Sequence, residues 1–178
     1  MAATDVTLDE LRAAIRNVPD FPKQGIQFKD ITPVLADARL LDGCIANLIG
    51  EQTADSVDLV AGIDARGFIF GAAMAREMGV GFVPIRKKGK LPWETLEESY
   101  ELEYGSNTIA IHTDAISAKQ RVLLVDDLLA TGGTAAAAAS LLAKAGGRVV
   151  EAVFFIELSF LDGRVKMGKV PVRSLVDY

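Results

Sequence analysis

The side chains with the most chemistry lie in residues 121–134, Arg-Val-Leu-Leu-Val-Asp-Asp-Leu-Leu-Ala-Thr-Gly-Gly-Thr. Adjacent carboxylates, Asp126 and Asp127, follow the apolar run Val122 to Val125. A loop follows, Ala130, Thr131, Gly132, Gly133 and Thr134, and then an alanine-rich segment to Ala145 with strong helix propensity. A helix start offers unpaired N–H groups and a partial positive charge, which suits a phosphate. Gly132 and Gly133 carry no Cβ, so the backbone can approach an anion and take positive φ. Thr131 and Thr134 add hydroxyls, and Thr134 is placed to cap the helix. The carboxylates repel that same phosphate. They suit groups that donate hydrogen bonds, such as sugar hydroxyls, or a metal ion. A phosphate beside a diol describes a ribose 5-phosphate.

Cations gather at two other places. Arg66 follows a second apolar run, Leu59 to Ile63, and the dipeptide Asp64-Ala65. Arg86, Lys87, Lys88 and Lys90 follow a third, Gly81 to Ile85. A basic run by itself is usually a solvated face. Its place at the end of a strand favours a site, because ligands of open α/β sheets bind beyond the strands' carboxyl ends.

The elements that must position these groups are legible in outline. Thr7 and Glu10 fit a capping box, and Leu8, Leu11, Ile15 and Val18 predict a helix ended by Pro19. Residues 21–33 read as irregular. Residues 34–52 predict one helix with Cys44 on its apolar stripe, as a core residue. Strands are predicted at 59–63, 81–85, 107–112, 122–125, 148–156 and, at an edge, 170–176. Helices are predicted after Gly67, closed by Gly79, and over 135–145, stopped by Gly146 and Gly147. Residues 91–106 alternate poorly and are rich in glutamate, which suggests a lid. His112, the single histidine, is given no chemistry. The alternation predicts an α/β fold: a mainly parallel central sheet flanked by helices on both faces.

Composition limits the function. With 178 residues, half of them hydrophobic and 24% charged, the chain fits one globular domain. A net charge of −5 argues against nucleic acid as the main partner. The single cysteine excludes an internal disulfide, and no signal segment or membrane span is visible, which reads as cytoplasmic. Neither GxGxxG nor GxxxxGK[ST] occurs, so dinucleotide-binding and P-loop readings lose their support.

The segment VLLVDDLLATGGT resembles the phosphoribosyl-diphosphate (PRPP) signature of the type I phosphoribosyltransferases. The set FPKQGIQFKDIT, DARGFIFG, PIRKKGKLP and LEYG resembles the adenine-specific members of that family, in family order. The resemblance covers about Phe21 to Leu158. It implies transfer of the phosphoribosyl group from PRPP to adenine, giving AMP and pyrophosphate with Mg²⁺. It implies one phosphoribosyltransferase domain over 1–178, with a hood at about 1–35 and a lid at about 91–106, and a homodimer. Ala130 to Thr134 would hold the 5-phosphate. Asp126 and Asp127 would accept from the ribose hydroxyls or hold waters of a magnesium site. Arg66, Arg86, Lys87 and Lys90 would hold pyrophosphate, with Arg66 the foremost. Phe28 would stack on adenine, Leu128 would press its other face, and the Gln27 backbone would accept from the 6-amino group. Glu103 is the implied acid/base, with Tyr104 at the reacting sugar. The Asp64-Ala65 loop is implied to have a special backbone conformation, a cis peptide. The sequence departs from the family at Lys29, where many members carry arginine, and the two are not interchangeable at a bidentate site. A purine-sensing regulator on the same fold and an enzyme for xanthine or hypoxanthine remain as alternatives.

Overall fold

The computed structural model describes residues 5–101 and 106–178. They form two compact units, Met1–Gly50 and Glu51–Tyr178.

In the first unit, α1 (Leu8–Ala14) starts with the expected capping box: the Thr7 hydroxyl accepts from the Glu10 N–H, and the Glu10 carboxylate accepts from the Thr7 N–H. The helix stops earlier than its apolar spacing predicts. Ile15 turns extended, and Val18 belongs to strand β1 (Arg16–Pro19). The reason is pairing: β1 lies antiparallel to β2 (Gln27–Asp30), with Val18 opposite Phe28. The supposedly irregular stretch is thus a hairpin, with a cis Phe21–Pro22 bond at its bend. The predicted long helix is two, α2 (Thr32–Ala36) and α3 (Ala38–Ile49). Asp37 divides them, because its carboxylate accepts the N–H groups of Arg39 and Leu40 and caps α3. Cys44 is fully buried on α3, and burial pushes its thiol pKa up.

The second unit is built on a seven-stranded sheet. Its strands are β3 (Leu59–Ile63), β4 (Gly81–Lys87), β5 (Thr95–Glu101), β6 (Ser106–His112), β7 (Arg121–Leu129), β8 (Arg148–Glu157) and β9 (Val172–Asp177). The spatial order is β5-β6-β4-β3-β7-β8-β9. The five strands from β4 to β9 run parallel, and β6 and β5 extend that edge antiparallel. Helices α4 (Gly67–Met78) and α5 (Gly133–Lys144) cover opposite faces. Strand alternation sorts the core between them. Ala61, Ile63, Leu124 and Phe154 pack with Ala138, Leu141 and Leu142 of α5. On the other face Gly71 of α4 packs against Val125 and Phe82, and Phe70 meets Phe155 edge-on at 5.8 Å. Such an aromatic pair is worth ~0.5–1.5 kcal/mol beyond its area burial. A 3-10 turn, Ser159–Leu161, leads into α6 (Gly163–Met167).

Two boundaries differ from expectation in ways that affect the site. Strand β7 does not end before the carboxylates but carries both within it. Thr95–Glu101, inside the supposed lid, is a regular strand paired along its length with β6. Its inward positions are filled by polar as well as apolar residues, which hid the alternation.

Candidate functional site

Strands β3 and β7 are parallel neighbours, so their carboxyl ends, and the helices that follow, meet at one edge of the sheet. There the Arg66 Nε lies 2.5 Å from the Asp127 carboxylate. Asp127 is almost fully covered, whereas the Arg66 side chain is 43% exposed. The Asp127 N–H donates to the Asp126 carboxylate at 2.9 Å. Gly67, first residue of α4, allows this closeness: a Cβ there would lie 2.8 Å from the Val125 carbonyl and 3.0 Å from Asp126 Oδ1. Burial, and next the Asp127 charge beside it, raise the Asp126 pKa well above the ordinary carboxylate range.

The loop after β7 frames a cavity of about 220 Å³ lined by Arg66, Asp126, Leu128, Thr131, Gly133 and Thr134, among others. Gly132 precedes α5 with φ +75°, and no side chain caps the helix. Thr134 is therefore not the cap expected of it. It lies inside the first turn, and its hydroxyl donates to the Tyr100 hydroxyl at 2.9 Å. The uncapped N–H groups of the first turn suit an anion. The loop is pressed from behind by α6: a Cβ on Gly132 would come within 2.2 Å of the Gly163 carbonyl. Arg164 fixes α6, donating to both Glu157 oxygens at 2.6 Å and to the Val172 carbonyl at 2.8 Å.

A second cavity of about 390 Å³ opens beside the first, lined by Asp64, Arg66, Lys87, Tyr100, Asp126 and Asp127, among others. The Asp64–Ala65 bond at its wall is cis, as the resemblance implied. Of the basic residues at the end of β4 and in the turn after it, Lys87 reaches this cavity. Arg86 turns to Asp64 (3.1 Å) and to the Lys90 carbonyl (2.9 Å). Lys90 is exposed on the turn after β4, and Lys88 pairs with Glu97 at 2.7 Å.

The edge of the sheet thus gathers Arg66, Lys87, Asp126, Asp127, Leu128 and the 130–134 loop. Gln27, Phe28 and Lys29 lie on β2 of the first unit. There Phe28 meets Phe21 edge-on at 5.2 Å, and the Lys29 ammonium donates to Asn17 at 2.6 Å. Glu103 and Tyr104 fall outside the described residues. Sequence reasoning missed Tyr100. The signal for it was the spacing Leu96, Glu98, Tyr100, a period of two on one strand face.

No group of three or more metal-binding side chains occurs among the described residues. Two carboxylates, one already paired with an arginine, fit a divalent ion held mostly by substrate oxygens and water. No helix among the described residues is long and apolar enough to cross a membrane.

Comparison with known proteins bears on this geometry. The phosphoribosyl transferase domain family matches residues 27–173. The adenine phosphoribosyltransferase of Brevibacillus brevis is 52% identical over 169 residues, 95% of this chain and 99% of that protein. The crystal structure of the Rhodothermus marinus adenine phosphoribosyltransferase superposes with a TM-score of 0.91 at 51% identity, covering 96% of this chain and 98% of the other. The Saccharomyces cerevisiae adenine phosphoribosyltransferase, in complex with an imino-altritol bisphosphate and adenine, gives a TM-score of 0.87 at 40% identity, covering 94% and 97%.

Proposed function

This chain belongs to the phosphoribosyl transferase family, and we propose on that footing that it transfers the 5-phosphoribosyl group of PRPP to adenine. The products are AMP and pyrophosphate, and the role is purine salvage. The observation that carries this reading is the meeting of the Asp126–Asp127 pair, Arg66 and the 130–134 loop at one strand edge.

The 5-phosphate sits in the loop of Ala130 to Thr134. Charge-assisted hydrogen bonds there contribute on the order of 1.5–3 kcal/mol each, more than the helix dipole's ~0.3–1 kcal/mol. The ribose hydroxyls donate to Asp126 and Asp127. That contact also brings donors to Asp126, whose charged form burial and the neighbouring Asp127 charge disfavour. Pyrophosphate leaves C1 toward Arg66 and Lys87, which border the same cavity. As the C1–O bond breaks, positive charge grows on the sugar, and the carboxylate pair favours it. The bond from adenine N9 to C1 replaces it, and Glu103 handles the proton at the purine ring with Tyr104 at the sugar. Residues 91–106 exclude water from the reacting C1. Asp126 and Asp127 would hold Mg²⁺ through water, and the ion would supply positive charge against the pyrophosphate.

Adenine is read by the hairpin of the first unit. Phe28 stacks on the base and Leu128 contacts its other face. The Gln27 carbonyl accepts from the 6-amino group. Its cross-strand neighbour is Pro19, which has no N–H to offer that carbonyl. A 6-oxo purine sets carbonyl against carbonyl there, a mismatch that rejects by roughly 10⁴–10⁵ in sites of this kind. Lys29 takes the place of the family's arginine without loss of activity. The enzyme is a cytoplasmic homodimer of single-domain subunits.

The test is nucleotide formation from PRPP, Mg²⁺ and each base in turn. Adenine is expected to turn over. Turnover with xanthine or hypoxanthine alone overturns the base assignment, and tight PRPP binding without turnover makes the chain a sensor instead. A sedimentation measurement checks the dimer.

A further inference from the structure

Strand β5 lies along helix α5, and its period of two places Leu96, Glu98 and Tyr100 on the face toward that helix. Leu96 packs on the apolar core. The Glu98 carboxylate accepts from the Ser140 hydroxyl at 3.0 Å and from the Lys144 ammonium. Two residues on, Tyr100 reaches the first turn of α5. Its ring edge would lie 3.5 Å from a Cβ on Gly133, and its hydroxyl accepts from Thr134 at 2.9 Å. The strand is therefore pinned at three successive inward positions, and the phenol's place is fixed by them.

A phenol has one hydrogen to donate and can accept at its oxygen. Thr134 supplies the accepted bond. The phenol's own O–H has no protein acceptor among the described contacts, and it borders the 390 Å³ cavity together with Arg66 and Lys87. A neutral donor next to two cations, at the mouth of a cavity, suits an anion oxygen. We infer that Tyr100 is a binding residue for the pyrophosphate end of the substrate, its O–H aimed by Thr134 toward the anion that Arg66 and Lys87 attract. The inference rests on the PRPP reading given above. It adds to that reading a residue of strand β5, so this strand itself touches the leaving group.

Tyr100→Phe tests it, because the ring and its packing remain. One charge-assisted hydrogen bond of the weaker kind, about 1.5 kcal/mol, corresponds to about tenfold. Tyr100→Phe is expected to raise the KM for PRPP and the inhibition constant of pyrophosphate by about that factor. The affinity for ribose 5-phosphate, which has the 5-phosphate but no pyrophosphate, is expected to stay within about twofold of wild type. An unchanged pyrophosphate constant overturns the inference. An equal loss for ribose 5-phosphate and pyrophosphate also overturns it, because Tyr100 then acts only through Thr134 and the loop. The wild-type protein is measured first with adenine and PRPP. Its failure to form nucleotide overturns the PRPP reading itself, whereas an active wild type with an unaffected Tyr100→Phe variant removes only the role of Tyr100.

Discussion

Two corners of the sheet have the same construction and draw their donors from different parts of the chain. At each, a buried parallel strand ends, the chain turns, and a helix of 12 residues begins without a side-chain cap. The β7–α5 corner makes its turn with a glycine at positive φ and offers bare N–H groups and hydroxyls. The β3–α4 corner makes its turn with a cis Asp64–Ala65 bond and offers the guanidinium of Arg66. The first is closed from behind by α6 and holds a small cavity. The second opens on a larger one that Lys87 of β4 and Tyr100 of β5 also line. The difference teaches how one sheet edge can hold two anions at once. A fixed backbone cradle suits the group that stays on the sugar. An exposed, adjustable side chain suits the group that must leave. The carboxylate pair joins them, since Asp127 grips Arg66 and Asp126 lies against the start of α4.

Substitutions at matched positions can break this comparison. The largest effect is expected from Gly132→Ala. A positive φ costs a residue with Cβ ~1–2 kcal/mol, and the new atom meets the Gly163 carbonyl at 2.2 Å. Backbone must move, so kcat/KM for PRPP is expected to fall by more than about tenfold, which corresponds to a loss above about 1.4 kcal/mol. Near-normal kcat/KM would show that the cradle tolerates displacement.

Asp127→Ala comes next. Removing one partner of a buried pair usually costs ~3–5 kcal/mol, but Arg66 is partly exposed and can be solvated, so the fold is expected to hold. Activity is expected to fall by roughly 10–100-fold, the worth of one or two charge-assisted bonds to the ribose. A normal rate with a lowered Tm would make the pair structural.

Gly67→Ala probes the other corner with a smaller expected effect. Its Cβ would press on the Val125 carbonyl and Asp126, overpacking worth ~1–3 kcal/mol, measured by denaturant unfolding. If the leaving-group corner is the adjustable one, kcat/KM changes less here than in Gly132→Ala.

The smallest effect is on pH dependence. The folded state raises the Asp126 pKa, so it holds that proton more tightly than the unfolded chain does. The associated stability is full below the ordinary carboxylate pKa and is lost as pH rises through the raised one. Asp126→Asn is expected to remove this slope and to raise Tm relative to wild type at pH 8, with no difference near pH 4. An unchanged slope would mean the ligand-free site already satisfies the charge. Asp58 has the opposite sign. Arg121 holds its pKa down to about 2, so its contribution is lost only in acid, as pH falls from the ordinary carboxylate range toward that value.

Much of the site was legible because its signals are local. The run into Asp126 and Asp127, the glycines and the alanine helix lie within a few residues of one another, and each has a conformational meaning of its own. The unread parts depend on partners distant in sequence. Val18 has helical spacing but takes its place in a hairpin with Phe28, because pairing overrides periodicity. Residues 91–106 suggest a lid because they alternate poorly and are rich in glutamate, and only α5 gives Glu98 and Tyr100 of the strand Thr95–Glu101 their inward partners.

The sequence by itself determined the alternating strands and helices, the phosphate loop and the charges that belong near it. Short-range sterics and propensity are enough for those. The tertiary structure alone decided which cations face the carboxylates. Of the four basic residues assigned to pyrophosphate, with Arg66 foremost, Arg66 and Lys87 line the cavity, whereas Arg86 is taken by Asp64 and Lys90 lies on an exposed turn. Tyr100 enters the site for the same reason. A side chain's chemistry is written in its type, but its direction is set by the strand order β6-β4-β3-β7 and by the helix that covers it, which are properties of the whole sheet.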